Sequence, residues 1–163
     1  MSVTKAGSKT FYTTTNPFEQ SFGYHRALRH GPHIHVSGTT ALNPTTQCLQ
    51  HPNDPYLQAH AAFAEALEAV RALGGQVHDV VRVRMFVKRV EDCDGVGRAF
   101  GEVFGGAAGQ GGVRGGGGEE GGREGSGEVV GCAATMVVLG AEGGGGFVDE
   151  GMLVEVEVDA YVL

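Results

Sequence analysis

Glycine is distributed very unevenly along this chain of 163 residues, and its distribution limits which parts can build a core. Thirteen of the 29 glycines fall within the 23 residues from 105 to 127, and four more are consecutive at 143–146. Glycine loses the most backbone entropy on ordering and brings no side chain to bury in return. We therefore expect both segments to be mobile surface insertions, and we interpret the longer one as a tolerated low-complexity expansion rather than a lid.

The rest of the chain has the composition of one small domain. Apolar residues make up 41% of the sequence, and they occur in short runs. None of these runs approaches the roughly 20 apolar residues of a transmembrane helix. We therefore predict a single domain over 1–163 with no membrane partner. Because 1–5 lack the apolar stretch of a secretory signal, we predict a cytoplasmic location and leave an organelle open.

Charge and cysteine usage argue against several classes of function. The net charge is −7, and the 12 lysines and arginines form no basic run, so no nucleic-acid partner is expected. Three cysteines without CxxC spacing predict no disulfide framework, and Cys132 is interpreted as a small buried apolar residue. His33 and His35 alternate on one strand but lack nearby carboxylate or cysteine partners, so no metal site is predicted. Residues 116–121 match GxGxxG only as any glycine tract does.

Alternation of apolar and polar residues predicts the strands. Residues 152–163 alternate most regularly, with Glu155, Glu157 and Asp159 sharing the polar face. On 81–88 the alternation places four residues on the buried face: Val81, Val83, Met85 and Val87. Further strands are predicted at 10–15, 24–28, 33–37 and 132–139, the second and third of which flank His30-Gly31-Pro32 as a hairpin.

Two amphipathic helices separate these strands. Asp54 and Pro55 begin the first helix, and Gly74-Gly75 end it. Its apolar stripe consists of Leu57, Phe63, Leu67, Val70 and Leu73, with Glu65, Glu68 and Arg71 elsewhere. Asp92 or Asp94 caps the second helix, whose stripe consists of Val96, Ala99, Phe100, Val103 and Phe104.

The predicted order β, β, β, α, β, α, β, β is typical of an α+β domain. Each helix must bury its one apolar stripe, so we expect a mixed sheet with both helices packed on one face. The opposite face is predicted to carry apolar residues as well, namely Ile34, Val36, Phe86 and Tyr161. Assembly of several copies through their sheets would cover them.

Six segments, in this order, resemble the Rid (reactive intermediate deaminase) family, also called the YjgF or L-PSP endoribonuclease-like family. The resemblance extends from about Gly23 to Val162 and is interrupted by the glycine tracts. The segments are Tyr24 with Ile34-His35-Val36-Ser37-Gly38; Leu73-Gly74-Gly75; Asp79-Val80-Val81-Arg82-Val83-Arg84-Met85-Phe86-Val87; Val96-Gly97-Arg98-Ala99-Phe100-Gly101-Glu102-Val103-Phe104; Cys132-Ala133-Ala134-Thr135-Met136-Val137; and Leu153-Val154-Glu155-Val156-Glu157-Val158-Asp159-Ala160.

This resemblance implies a chorismate-mutase-like (YjgF-type) fold and a homotrimer that binds a small molecule in each of three clefts between subunits. In the well-studied branch, the cleft hydrolyses a 2-imino acid or enamine to a 2-keto acid and ammonia without a metal or organic cofactor. An arginine there pairs with the substrate carboxylate, and a strand glutamate positions or polarises the attacking water.

Compared position by position, some of the family's site residues are present in this sequence and others are replaced. Tyr24 matches the cleft tyrosine, and Glu155 matches the glutamate of the last strand and is the predicted catalytic residue. Ala134, next to Thr135, stands where the family has its catalytic arginine, and Gly97 replaces an asparagine. The chain thus matches a variant branch without the arginine. The resemblance therefore predicts that Tyr24, Ala134 and Thr135 bind the substrate.

Two other arginines are candidates for the missing positive charge. Arg98 adjoins the asparagine position and is included among the substrate-binding residues, and Arg26 follows Tyr24. For each of them a surface position is the simpler expectation. Loss of a charged hydrogen bond, typically ~1.5–3 kcal/mol, would weaken imino-acid binding by roughly one to two orders of magnitude.

Three functions follow from the resemblance and stay open. The first is a hydrolytic deaminase of an imine, enamine or related small carbonyl compound, in which Glu155 handles water. The second is a non-catalytic trimer that binds a small molecule. The third, RNA cleavage, agrees least with the acidic charge and the absence of a basic run.

Overall fold

The computed structural model describes residues 1–105, 131–140 and 146–163. The predicted glycine-rich insertions at 105–127 and 143–146 lie outside the described residues, apart from Gly105 and Gly146. The strands are β1 (Ser2–Ala6), β2 (Lys9–Thr13), β3 (Ala27–His30), β4 (His33–Thr39), β5 (Val80–Val87), β6 (Ala133–Val138) and β7 (Val154–Tyr161). The helices are α1 (Pro17–Phe22), α2 (Pro55–Ala72) and α3 (Cys93–Phe104).

These strands form one mixed sheet in the order β1-β2-β3-β4-β7-β5-β6. β5 and β6 are parallel, whereas the other neighbouring strands are antiparallel. α2 packs against α3 and against β4 and β7 near the centre of the sheet. The predicted α+β fold, a mixed sheet with two main helices, is thereby confirmed.

Helix signals in the sequence explain where α2 begins and ends. The Asp54 carboxylate accepts a hydrogen bond from the Leu57 backbone N–H at 2.9 Å, and Gly74 takes a positive φ of 86° after the last turn. The predicted stripe is wrong at Leu57, which is 38% exposed, because the neighbouring Gln58 is buried instead. Its side-chain amide bonds to the loop before β7, accepting from the Leu153 N–H at 2.9 Å.

The second main helix, α3, starts where predicted, but the Asp92 side chain makes a different interaction from the predicted cap. Asp92 is the N-cap residue of α3, yet its side chain makes no capping hydrogen bond. Its two carboxylate oxygens instead accept from Nε and Nη2 of Arg89, each at 2.9 Å. An ion pair therefore replaces the predicted cap.

Alternation predicts β7 correctly and misplaces one residue of β5. Along β7 the side chains of Val154, Val156, Val158 and Ala160 are buried, as expected from the pattern. In β5 the register with β7 shifts between Val80 and Arg82, so Val80 enters the core and Val81 is 49% exposed. An irregularity of this kind breaks the two-residue period, which sequence alternation cannot reveal.

The face opposite the helices is partly different from the prediction. Ile34 and Val36 belong to the core beneath the helices, so their assignment to the open face is wrong. Tyr161 is 40% exposed, and β6 forms an edge of the sheet with Val137 and Val138 each 42% exposed. Within the described residues, no helix is long and apolar enough to cross a membrane.

Candidate functional site

A cavity of about 170 Å³ lies where α1 and the segment after it approach the end of β4 and the start of β7. Apolar side chains form much of its wall: Phe18, Phe22, Leu42, Val148 and Met152. Its four titratable lining residues are Tyr24, Arg26, Glu65 and Glu155. An apolar pocket with a few converging polar groups is the usual form of a small-molecule site.

The short helix α1 positions one wall of the cavity. Asn16 caps the helix by accepting a hydrogen bond from the Phe18 N–H at 3.0 Å, and Pro17 occupies the first turn. Gly23 ends the helix with a φ of 71°, a left-handed conformation that glycine adopts without strain. Tyr24 follows directly, so this turn places its side chain at the cavity.

Arg26 is held by a buried network, and its expected surface position is wrong. Only 2% of the residue is exposed, and its Nε donates to Glu19 Oε1 at 3.0 Å. Its Nη1 donates to the Gly38 carbonyl at 2.7 Å and to Thr39 Oγ1 at 2.9 Å. Glu19 in turn accepts from the N–H and Oγ1 of Thr14, at 2.7 and 2.6 Å. Arg26 lines the cavity, but Glu19 already balances its charge.

Glu155 occupies its place because residue 38 has no side chain. A Cβ atom at Gly38 would lie 1.9 Å from Glu155 Oε1, closer than any real contact. The register of β4 against β7 also shifts between Val36 and Thr39, around this point. Burial raises the pKa of Glu155, the negative charge of Glu157 raises it further, and Arg26 partly opposes both.

Glu65 is a cavity residue that the sequence analysis missed. It lies in the middle of α2, where the helical pattern placed it outside the apolar stripe. Its Oε1 has less than 1 Å² of accessible surface and no hydrogen-bond partner among the described residues. Burial raises the pKa of Glu65, Arg26 opposes that rise, and Glu19 and Glu68 add to it. No signal in the sequence distinguishes Glu65 from the exposed Glu68.

Glu19, by contrast, has a sequence signal that could have found it. Asn16-Pro17 marks the start of a helix, and a glutamate at the third helical position is a common capping pattern. Here the carboxylate bonds to Thr14 and Arg26, so the pattern predicts the helix start and not the ion pair.

Tyr24 and Glu155 are two of the site residues predicted from the resemblance, and both line the cavity of a single chain. Ala134 and Thr135 are exposed on the edge strand β6 and do not line it. Arg98 is exposed on α3, where its guanidinium lies 4.1 Å from the centre of the Tyr56 ring. The structure does not bring these three to the cavity, and their roles in binding stay predictions.

A second group of charges lies on the open face of the sheet. Arg84 Nη1 is 3.1 Å from an Asp159 oxygen and 3.3 Å from a Glu157 oxygen. His35 Nδ1 lies 2.8 Å from the other Asp159 oxygen. Within the ranges that the structure describes, no three histidine, cysteine or acidic side chains are grouped as metal ligands would be. Burial raises the pKa of the Cys132 thiol, and the residue packs against the core.

Comparison with known proteins identifies the family. Residues 14–111 match the family model described as Endoribonuclease L-PSP. This chain belongs to that family. It is also 33% identical over 146 residues to the uncharacterized protein SCO2049 of Streptomyces coelicolor, a match that covers 90% of this chain and 87% of that protein. The resemblance inferred from the six segments is thereby confirmed.

Solved structures of the family share the fold. Rv2704 of Mycobacterium tuberculosis is described as a member of the YjgF/YER057c/UK114 family, and it is 26% identical to this chain with a TM-score of 0.68. The match covers 95% of this chain and 100% of Rv2704. The YjgF gene product of E. coli is 22% identical with a TM-score of 0.63, over 93% of this chain and 96% of its own. RidA from the Antarctic bacterium Psychrobacter sp. PAMC 21119 is 19% identical with a TM-score of 0.61, over 85% and 88%.

Proposed function

We propose that this protein is a small-molecule hydrolase whose cavity takes an imine, an enamine or a related carbonyl compound, with Glu155 handling the proton transfers. One observation supports this most directly: Glu155 lines a largely apolar cavity beside Tyr24, and burial raises its pKa. A raised pKa brings a carboxyl group closer to the working pH, which favours its use both as a proton acceptor and as a proton donor. Tyr24 shapes the same pocket.

The proposed reaction converts a C=N bond and one water molecule into a carbonyl compound and ammonia. The Glu155 carboxylate accepts a proton from water as the water oxygen bonds to the imine carbon. The resulting carboxyl group returns that proton to nitrogen, which gives a neutral carbinolamine. The Glu155 carboxylate then takes the hydroxyl proton of the carbinolamine and delivers it to the amino group, as the C–N bond breaks and ammonia leaves. One group serves as base and then as acid, and no proton is gained or lost overall.

A homotrimer in the cytoplasm is part of this proposal. The edge strand β6 and the open face carry exposed apolar residues, including Val137, Val138 and Tyr161, which a second copy would cover. In such an assembly, Ala134 and Thr135 of one chain would approach the cavity of another. They would shape it without contributing a positive charge.

A non-catalytic trimer that binds a small molecule is the second candidate. One observation favours it: the guanidinium of Arg26 is bound to Glu19, and Ala134 has no charge with which to hold a substrate carboxylate. RNA cleavage, which the family description names, has less support because the chain carries a net charge of −7.

The test is ammonia release from freshly generated imines, with and without a carboxylate, compared between the wild type and Glu155→Gln. General acid–base catalysis contributes ~10²–10⁴-fold, and we expect a loss of that size. Glu91→Gln removes the charge of an exposed carboxylate that does not line the cavity, and it should leave the rate unchanged. Size-exclusion chromatography establishes that each variant assembles as the wild type does.

Either of two results would count against the proposal. Wild-type trimer that hydrolyses none of the imines favours the binding protein. A rate that Glu155→Gln leaves intact removes Glu155 from the chemistry.

A further inference from the structure

The cavity has an excess of acidic groups over basic ones. Among its described lining residues, Arg26 carries the positive charge, whereas Glu65 and Glu155 are both carboxyl groups. Arg26 is paired with Glu19, and its Nη1 is also committed to the Gly38 carbonyl and to Thr39. A ligand entering here therefore meets two carboxyl groups and one guanidinium whose charge Glu19 already balances.

Glu65 provides the independent sign that a donor is missing. Its Oε1 is shielded from solvent and has no hydrogen-bond partner among the described residues. A buried acceptor left unsatisfied is unfavourable, and in native proteins such an atom commonly marks a site for a ligand or an ordered water. Glu65 itself is among the residues that line the cavity, so a small side-chain rotation would bring this buried oxygen to a bound ligand.

We propose that this cavity selects small cations that carry N–H donors on an apolar body, and that Glu65 is a second ligand-binding residue beside Glu155. The inference rests on the proposed function, since the protonated form of an imine is such a cation. It goes further by naming the charge of the ligand and a binding residue on α2. It also predicts that the cavity binds 2-imino acids poorly, because their carboxylate would face Glu65 and Glu155.

The remaining wall of the cavity fits the other half of such a ligand. Phe18, Phe22, Leu42 and Met152 offer apolar surface to a small hydrocarbon or aromatic body. Burial raises the pKa of both Glu65 and Glu155, and a bound cation would favour their charged forms. Binding of a cation therefore offsets part of the cost of burying the two carboxyl groups.

Three compounds of nearly equal size and shape isolate the effect of ligand charge: benzamidine, benzamide and benzoate. Isothermal titration calorimetry at neutral pH measures the binding of each to the intact protein. We expect benzamidine to bind at least about 10-fold more tightly than benzamide, and benzoate to bind most weakly, because hydrogen bonds to charged groups are the stronger ones.

Variants then assign the preference to its residues. Glu65→Gln and Glu155→Gln should each weaken benzamidine binding by about 10-fold and leave benzamide binding nearly unchanged. Glu91→Gln, at the exposed carboxylate outside the cavity, should bind all three compounds as the wild type does. If Glu65→Gln fails to assemble, Glu65→Asp, which keeps the charge and withdraws it by one methylene, replaces it with the same expectation.

The proposal is overturned if benzoate binds as tightly as benzamidine, if none of the three binds, or if a folded Glu65 variant binds benzamidine like the wild type. These outcomes are separate from those of the hydrolase test. Benzamidine selectivity without turnover of any imine would leave this inference standing and remove the hydrolase. Turnover confined to imines that carry a carboxylate would support the hydrolase and overturn this inference.

Discussion

Arg26 and Arg84 both pair with carboxylates, but in opposite environments. The side chains of Arg26 and Glu19 are 3% and 0% exposed, whereas Arg84 is 38% exposed and its partners Glu157 and Asp159 are 40% and 23% exposed. Water screens the second group, so its ion pairs contribute little to stability. The first pair has lost its hydration, and each partner depends on the other.

This difference separates an ion pair that fixes a site from one that solvates a surface. Arg26 joins Glu19 of α1 to the end of β4, and both of these elements line the cavity. Arg84 joins only neighbouring strands that backbone hydrogen bonds already hold together. Similar residue types on one sheet therefore have different structural consequences, and burial is the reason.

The largest expected effect is the loss of stability on removal of the buried charge of Arg26. Arg26→Met leaves Glu19 buried without its partner and should lower the free energy of unfolding by about 3–5 kcal/mol. Arg84→Met, the matched change on the open face, should cost about 0–1 kcal/mol. Urea denaturation at one protein concentration measures both. Equal losses for the two variants would refute the contrast.

A smaller effect tests how Gly38 positions Glu155. Gly38→Ala places a methyl group where the Glu155 carboxylate lies, and this flexible side chain can move aside. We expect imine hydrolysis to fall by about 100-fold with little loss of stability, because displacement of a reacting group by about 1 Å has that effect. Ammonia release and urea denaturation measure the two quantities.

A second glycine provides the control for Gly38. A Cβ at Gly97, within α3, would meet Met136 Cε at an ordinary 3.9 Å. Gly97→Ala should stabilise the helix by roughly 0.5–1 kcal/mol, so it controls for the effect of an added methyl group on the free energy of unfolding. A wild-type rate in Gly38→Ala would show that the position of the Glu155 carboxylate does not limit the reaction.

The smallest effect links the open face to the cavity. The charge of Glu157 helps to raise the pKa of Glu155, so Glu157→Gln should lower that pKa. If the Glu155 carboxylate is the base, the acid limb of the rate profile moves to lower pH with it. Titration of the Glu155 carboxyl carbon by NMR measures the pKa without reference to activity. Asp159→Asn, further along β7, should not move it, and a pKa unchanged in Glu157→Gln would contradict the coupling.

Much of the fold could be predicted because its signals are local. The alternation along β7, the cap at Asp54 and the stop at Gly74 each depend on a few adjacent residues, and the structure confirms them. The errors occur where a distant neighbour decides the outcome. Val81 is exposed because of the register against β7, and Ile34 is buried because the helices cover that face of β4.

The candidate site was less predictable than the fold. Tyr24 and Glu155 were found through the family resemblance, and they do share the cavity. Glu65 was placed outside the apolar stripe of α2 and Arg26 on the surface, since charged residues usually lie there. Their burial depends on a partner or a cavity that is distant in sequence, as Gly38 and Thr39 are from Arg26.

The sequence by itself determined six of the strands, the two long helices and the family, because these depend on residue identity and order, but it did not indicate β1 or α1. Only the tertiary structure decided which charges are buried. Arg26 and Arg84 have the same chemistry, and nothing adjacent to either one marks the difference. Packing removes water from one and leaves it around the other, so the dielectric environment that sets ion-pair strength and carboxyl pKa is a property of the folded chain.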